Sequence, residues 1–401
     1  MTGLRRDRLT WVVYASLGVY GFFIYSFGPT VPLLREDQGT SRAVSGLHGT
    51  ALAVGAIVSG LLFARLSERV GRGRLMSGGL VGVAAGILLY VSADVLAVTL
   101  LGAFICGTSG STVVNATAPV LTDHHGQAGP ASISEGNALA TASGAVAPLV
   151  VGAAVALGLG WRAGMLVTLL GIAAVLLLGR GVAVPDPPPA GTEDRARLSR
   201  SFWMAWLVLV LCIAVEFSVT VWASDLLRQR LGMVAATASA SLTAVIVGMT
   251  LGRVIGARLM LRHSLERLLL VALGVAGAGF AVLWTASEVS IAVLGLFVLG
   301  LGMGAHYPLS ISRAIAFSGG RPDLAAGRAS IGAGLAIGTA PFVLGALADA
   351  YGTRTAFLLV PVLLGTAATI LLASGSVVDP SSVDGPELSG SRDGEGRPSA
   401  G

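Results

Sequence analysis

The chain has 401 residues and no lysine: all 26 of its basic residues are arginine. Only 12% of its residues are charged, about half the share found in a soluble globular protein, so an ordinary soluble fold is excluded. Cysteine is scarce too. Cys106 and Cys212 stand alone inside apolar runs, which excludes a disulfide framework and zinc-ligand spacing. Neither a metal nor a cofactor is expected. No nucleophile, base and oxyanion set is visible, so the sequence does not read as an enzyme. What is abundant is apolar surface and glycine: 54% of residues are hydrophobic, 56 are glycine, and the mean hydropathy is +0.81. Glycine-tolerant helices in a lipid bilayer fit this composition, and a disordered chain does not.

A hydrocarbon crossing takes about 20 residues. Twelve apolar stretches of that order are predicted, near 11–33, 43–64, 75–93, 95–118, 132–157, 161–179, 202–224, 234–256, 267–286, 289–312, 326–349 and 354–374. Several connections between them are a few residues long, which makes the flanking spans antiparallel neighbours. The expected fold class is an all-α membrane protein.

The net charge of +5 would suit a polyanionic partner, but the arginines are placed by topology. If the N-terminus is inside, twenty arginines lie on inner segments. Only Arg35, Arg42, Arg162, Arg228, Arg230 and Arg354 lie outside. Positively charged loops resist translocation, so both termini are expected in the cytoplasm of a multi-pass protein of the cytoplasmic membrane, with no nucleic-acid partner. All-arginine basicity with abundant Ala, Gly and Val hints at a GC-rich bacterial source.

Residues 181–201 carry Pro185, Pro187, Pro188 and Pro189 and then a charged run, and read as a cytoplasmic linker. It divides an N-terminal six-helix bundle, 1–180, from a C-terminal one, 202–375; residues 376–401 are Ser, Gly, Pro and acid rich and are expected to be a disordered tail. The halves repeat each other. Ala64-Arg65-Leu66 with Arg69 returns as Ala257-Arg258-Leu259 with Arg262. Leu101-Gly102, Phe104 and Gly107 return as Leu294-Gly295, Phe297 and Gly300, and Ala147-Pro148 with Gly152 as Ala340-Pro341 with Gly345. Every pair is 193 residues apart, so the halves are parallel repeats.

These features resemble the major facilitator superfamily. The turn after span 2, Ala64 to Arg74, is similar to that family's signature loop, with Glu68 at its usual acidic position. The run Glu216-Phe217-Ser218 with Trp222, the Tyr307-Pro308-Leu309 of span 10, and Gly252-Arg253 resemble the fucose, glucose and galactose permease branch. The resemblance implies two bundles around a central cavity, alternating access, a monomer, and a conformational role for Arg65, Glu68, Arg69, Gly71 and Arg72. One departure weakens sugar symport: spans 1, 2 and 4 hold no acidic residue.

A charge at mid-bilayer costs at least about 2.5 to 3.5 kcal/mol, so ionisable residues inside spans carry the functional signal. Glu216 lies about 21 Å along its helix from Phe202 and shares a face with Cys212 and Thr220. It is the first proton-coupling candidate, and His306 is the second. The alternative for His306 is a neutral ring bonded to a backbone carbonyl beside Pro308. Tyr25, Asn115, Asn137, Thr220, Trp222, Arg253, Tyr307 and Ser310 are the candidate cavity residues. For Arg253 both snorkelling to the interface and anion binding are open. Asn115 and Asn137 also suit interhelical hydrogen bonds.

The expected function is secondary active transport of a small organic solute, coupled to protons. Efflux of drugs or secondary metabolites is the alternative, though Ala103 stands where drug antiporters usually carry arginine. A non-transporting receptor or scaffold is a third class.

Overall fold

The computed structural model describes residues 4–40, 42–186 and 197–374. In hydrocarbon no water is present to bond N–H and C=O groups, and helices satisfy them within the segment. Accordingly the described residues form helices and short turns with no strand. Span 1 is Arg8–Gln38, span 2 Arg42–Val70, span 3 Arg72–Ser92, span 4 Leu96–His125, span 5 Gly129–Ala156 and span 6 Gly160–Leu178. Span 7 is Arg200–Leu231, span 9 Leu265–Thr285, span 10 Val289–Ala316 and span 11 Pro322–Tyr351.

The other two spans are each broken. Span 8 runs as Ala235–Ser241 and Thr243–Leu259, and at the break the Leu242 carbonyl accepts from Val245 N at 3.0 Å in a tighter turn. Span 12 runs as Thr353–Ala356 and Leu359–Ala373. Pro361 has no N–H for the Phe357 carbonyl, which accepts instead from Val360 N at 3.0 Å in a tighter turn. The expected linker is described only at its two ends, and the expected tail lies outside the described residues.

The 193-residue register reappears in the packing. A Cβ on Gly55 would collide with the Phe104 carbonyl, and one on Gly248 with the Phe297 carbonyl. Gly107 lies against Leu52 as Gly300 lies against Val245, and Gly102 against Tyr90 as Gly295 against Leu283. Each pair is displaced by the same 193. Small residues let backbones approach where lipid removes any apolar attraction between helices. Span 4 is thereby clamped between spans 2 and 3, and span 10 between spans 8 and 9.

The ion pairs define two faces. One face gathers the described chain ends: Arg6 pairs with Glu135 at 2.7 Å, and Arg8 donates to the Leu178 carbonyl at 3.0 Å. On the far face Arg162 holds Asp37 at 2.7 Å and also pairs with Asp94. His48 bonds Thr99 there at 2.8 Å.

Three apolar cores follow this division. One lies within the C-terminal half, around Val219, Leu273 and Leu299, and one within the N-terminal half, around Phe23, Val83 and Met165. The third joins both halves, with Phe63, Met76, Leu121 and Ile133 packed with Phe202, Ile311, Ala325 and Ala329.

Candidate functional site

Side-chain hydrogen bonds join the halves toward the face of the chain ends. Asp323, in the first turn of span 11, accepts from Ser67 Oγ at 2.7 Å and Arg72 Nε at 2.9 Å, and Arg72 Nη2 closes a second bond to it. Arg72 also pairs with Asp123, at the end of span 4, at 2.6 Å. The guanidinium is 0% exposed, so its charge is carried wholly by these two carboxylates. One turn deeper, Gly60 meets Gly327 backbone to backbone, and Ser330 Oγ donates to the Ala56 carbonyl at 3.2 Å. On the other side of the axis Ser134 Oγ donates to the Arg253 carbonyl at 2.6 Å. On the far face the bonds of Arg162, Trp161 and His48 all stay within the N-terminal half.

The seam ends at a group of polar atoms from both halves. Arg253 is 7% exposed and directs its guanidinium into the protein. Its Nε faces the Gly304 carbonyl at 3.3 Å and its Nη1 the Asn137 carbonyl at 3.4 Å. The ionisable groups near it are Glu216 of span 7, Tyr25 of span 1 and Tyr307 of span 10. Glu216 forms no ion pair within 4.0 Å and its carboxylate accepts no hydrogen bond from a described residue. None of the Glu216 carboxylate oxygens, the Tyr25 and Tyr307 hydroxyls and Arg253 Nη2 is sealed in the interior, although none is hydrogen-bonded to the protein. Glu216, Tyr25 and Tyr307 are each half-buried. Snorkelling of Arg253 is thus replaced by a buried guanidinium, because spans 5 and 10 offer it carbonyls that lipid does not.

The other expected residues are placed differently. Trp222 donates its Nε1 to the Pro341 carbonyl at 2.8 Å and packs on Gly345, joining spans 7 and 11. Asn115 donates to Ser59 Oγ at 3.3 Å, within the N-terminal half. Asn137 returns its Nδ2 to the Ile133 carbonyl at 2.8 Å while its own carbonyl meets Arg253. Thr220 donates to the Glu216 carbonyl at 2.9 Å. Ser310 reaches Cys212 Sγ at 3.9 Å. His306 is 1% exposed and its ring lies near the Ala272 backbone of span 9, with neither nitrogen in hydrogen-bond geometry. It is not brought beside Glu216.

The expected turn from Ala64 is helical up to Val70, because span 2 continues beyond the hydrocarbon, and in its last turns Arg65, Glu68 and Arg69 are exposed and unpaired among the described residues. Gly71, with φ +88°, takes a backbone conformation that L side chains rarely adopt and turns the chain so that Arg72 enters the interior. Asp123, Asp323 and Ser67 were not singled out by sequence. Asp323 follows Pro322 in a first helical turn, where an acid is ordinarily explained by the helix dipole alone.

Two repeated six-helix bundles, joined along one face and enclosing polar atoms from both, define a membrane transporter. The sequence profile of the Major Facilitator Superfamily matches residues 13–318 and again 206–396, and the chain belongs to that family. Among solved structures it is similar to the fucose:proton symporter of E. coli, with 16% identity, 92% of this chain and 98% of that chain covered, and a TM-score of 0.77. A proton:xylose symporter bound to 6-bromo-6-deoxy-D-glucose aligns at 14% identity, 92% and 97% coverage and TM-score 0.76. A human organic anion transporter aligns at 17%, 92% and 100%, and 0.73. At these identities the likeness is one of fold. No curated protein matches the chain by sequence.

Proposed function

We propose that this transporter moves a small organic solute across the cytoplasmic membrane by alternating access, driven by protons carried on Glu216. The observation that carries the reading is the Glu216 carboxylate itself, at the middle of span 7, unpaired and open to the space between the halves. A carboxylate at that depth is tolerable only if it is protonated, paired or wet, and cycling among these states is what proton coupling requires. The arginine-rich face that gathers the chain ends is taken as cytoplasmic. The seam on that face then closes the cavity inward, and the molecule stands open to the outside. Rocking the halves would break the Arg72 and Asp323 contact and form a new seam on the far face.

Glu216→Gln keeps the shape of the protonated acid. In proteoliposomes the variant is expected to exchange solute across the membrane but not to concentrate it under a proton gradient. If it still concentrates solute, Glu216 is a structural carboxyl and the reading fails.

A further inference from the structure

The space between the halves offers a solute two fixed charges of opposite sign and two phenols. Neither Arg253 nor Glu216 belongs to an ion pair within 4.0 Å among the described residues. Arg253 is the unusual member. Its planar fork is matched to a carboxylate, yet its protein partners are two backbone carbonyls at 3.3 and 3.4 Å, both beyond the usual N–H···O range, and Nη2 has none. A guanidinium that is 7% exposed and so weakly bonded is a strong site for an anion.

We infer that the transported solute is a small organic anion whose carboxylate docks on Arg253, while Glu216 carries the proton that travels with it; this rests on the transporter reading above. Charge balance supports the pairing. In the empty cavity the Glu216 carboxylate offsets Arg253. In the loaded cavity the solute carboxylate offsets Arg253 and Glu216 is neutral. Both states carry no net charge, whereas a cavity with the anion alone or the proton alone carries one charge. Closing a low-dielectric space around that single charge is costly, so half-loaded forms reorient poorly. A neutral sugar carried together with the proton would leave the Arg253 charge uncompensated.

The same docking links occupancy to the seam. The Asn137 carbonyl that Arg253 Nη1 faces belongs to the opposite half. A carboxylate on the fork competes with that carbonyl and removes one bond between spans 5 and 8.

The test is thermal unfolding of the purified full chain with matched probes that differ in charge: benzoate and benzamide, lactate and lactamide, gluconate and glucose. At least one acid is expected to raise Tm while its neutral partner does not. That shift should vanish in Arg253→Gln and persist in Glu216→Gln. The inference is overturned if no acid stabilises the protein, if the neutral partners match the acids, or if the shift survives Arg253→Gln. Should that variant not fold, Arg253→Lys keeps the charge and loses the fork, and its affinity for the stabilising acid should drop at least tenfold; an unchanged affinity would also overturn it. Glu216→Gln protein that still binds the acid yet concentrates it would remove the proton coupling and leave the anion site standing.

Discussion

Two arginines are sealed at the face of the chain ends, one in each half, and they do different work. Arg72 is 0% exposed and bonds Asp123 of its own half and Asp323 of the other. Arg313 is 1% exposed and bonds Glu266 at 3.3 Å and Ser374 Oγ at 2.8 Å, while its guanidinium lies 5.0 Å from the Phe317 ring centre. All of these partners lie in the C-terminal half. Burial and chemistry are nearly equal, so neither decides whether an ion pair belongs to the fold or to a moving part. The half to which the partner belongs decides it. Under the proposed alternating access the Arg313 group would travel intact and the Arg72 group would have to open.

The largest expected effect separates these two arginines. Asp323→Ala leaves the buried Arg72 with half its compensation, and losing one partner of a buried pair costs about 3 to 5 kcal/mol. The cost falls on the closed seam alone, so the population with that face open should rise by roughly two orders of magnitude or more. Labelling of a single cysteine placed at Ala64, with Cys106 and Cys212 replaced by Ala, reads this as faster modification from the arginine-rich side. Glu266→Ala should instead lower Tm and leave that labelling rate unchanged. If Glu266→Ala speeds labelling equally, the distinction between the two arginines is lost.

Ser67→Ala sharpens the comparison from the same seam. It removes a hydrogen bond to a charged acceptor, worth about 1.5 to 3 kcal/mol, and should speed Ala64→Cys labelling by about tenfold to a hundredfold. Transport rate should change in parallel, because the same seam must open in each cycle.

A smaller effect belongs to an ion pair that stays within one half. Burial alone would raise the Asp7 carboxyl, but hydrogen bonds from Thr10 N at 2.9 Å, Thr10 Oγ1 at 2.7 Å and His124 at 2.7 Å outweigh it and hold Asp7 at about 2. A depressed carboxyl stabilises the fold above its unfolded pKa and loses that contribution as pH falls through the folded value. Asp7→Asn keeps the cap and removes the charge. Its stability deficit, read as a lower Tm, should be present at neutral pH, amount to less than about 1 kcal/mol because the pair is solvent-screened, and shrink as pH falls toward 2. Labelling at position 64 should not respond.

The smallest effect is expected at Glu68. The family resemblance implies a conformational role for the whole turn, yet Glu68 is exposed and unpaired. Glu68→Ala should leave both labelling and transport within twofold. A large loss on either measurement would mean that Glu68 pairs with another group when the halves rock.

Much of the molecule was legible in the sequence because membrane helices obey a length rule that apolar runs display directly. All twelve spans stand where hydropathy put them, and the breaks in spans 8 and 12 fall at a tighter turn and beside Pro361. Glu216 was conspicuous for the same reason, as a carboxylate where hydrocarbon disfavours charge. The 193-residue register was legible because the glycines that let backbones touch cannot be replaced without collision, and the Gly55 and Gly248 contacts keep it.

What the sequence determined by itself is therefore what depends on one helix and its solvent: the number of spans, the arginine asymmetry, the repeat, and which residues are costly to bury. The structure decided what depends on two helices from different halves. The sequence left Arg253 open between snorkelling and anion binding, and only the packing put its guanidinium beside Asn137 and Gly304; nothing near Asp323 in the chain announces Arg72, 251 residues away. A guanidinium at a helix end has the same local sequence whether water or a distant carboxylate neutralises it, and only the packing of the two halves determines which.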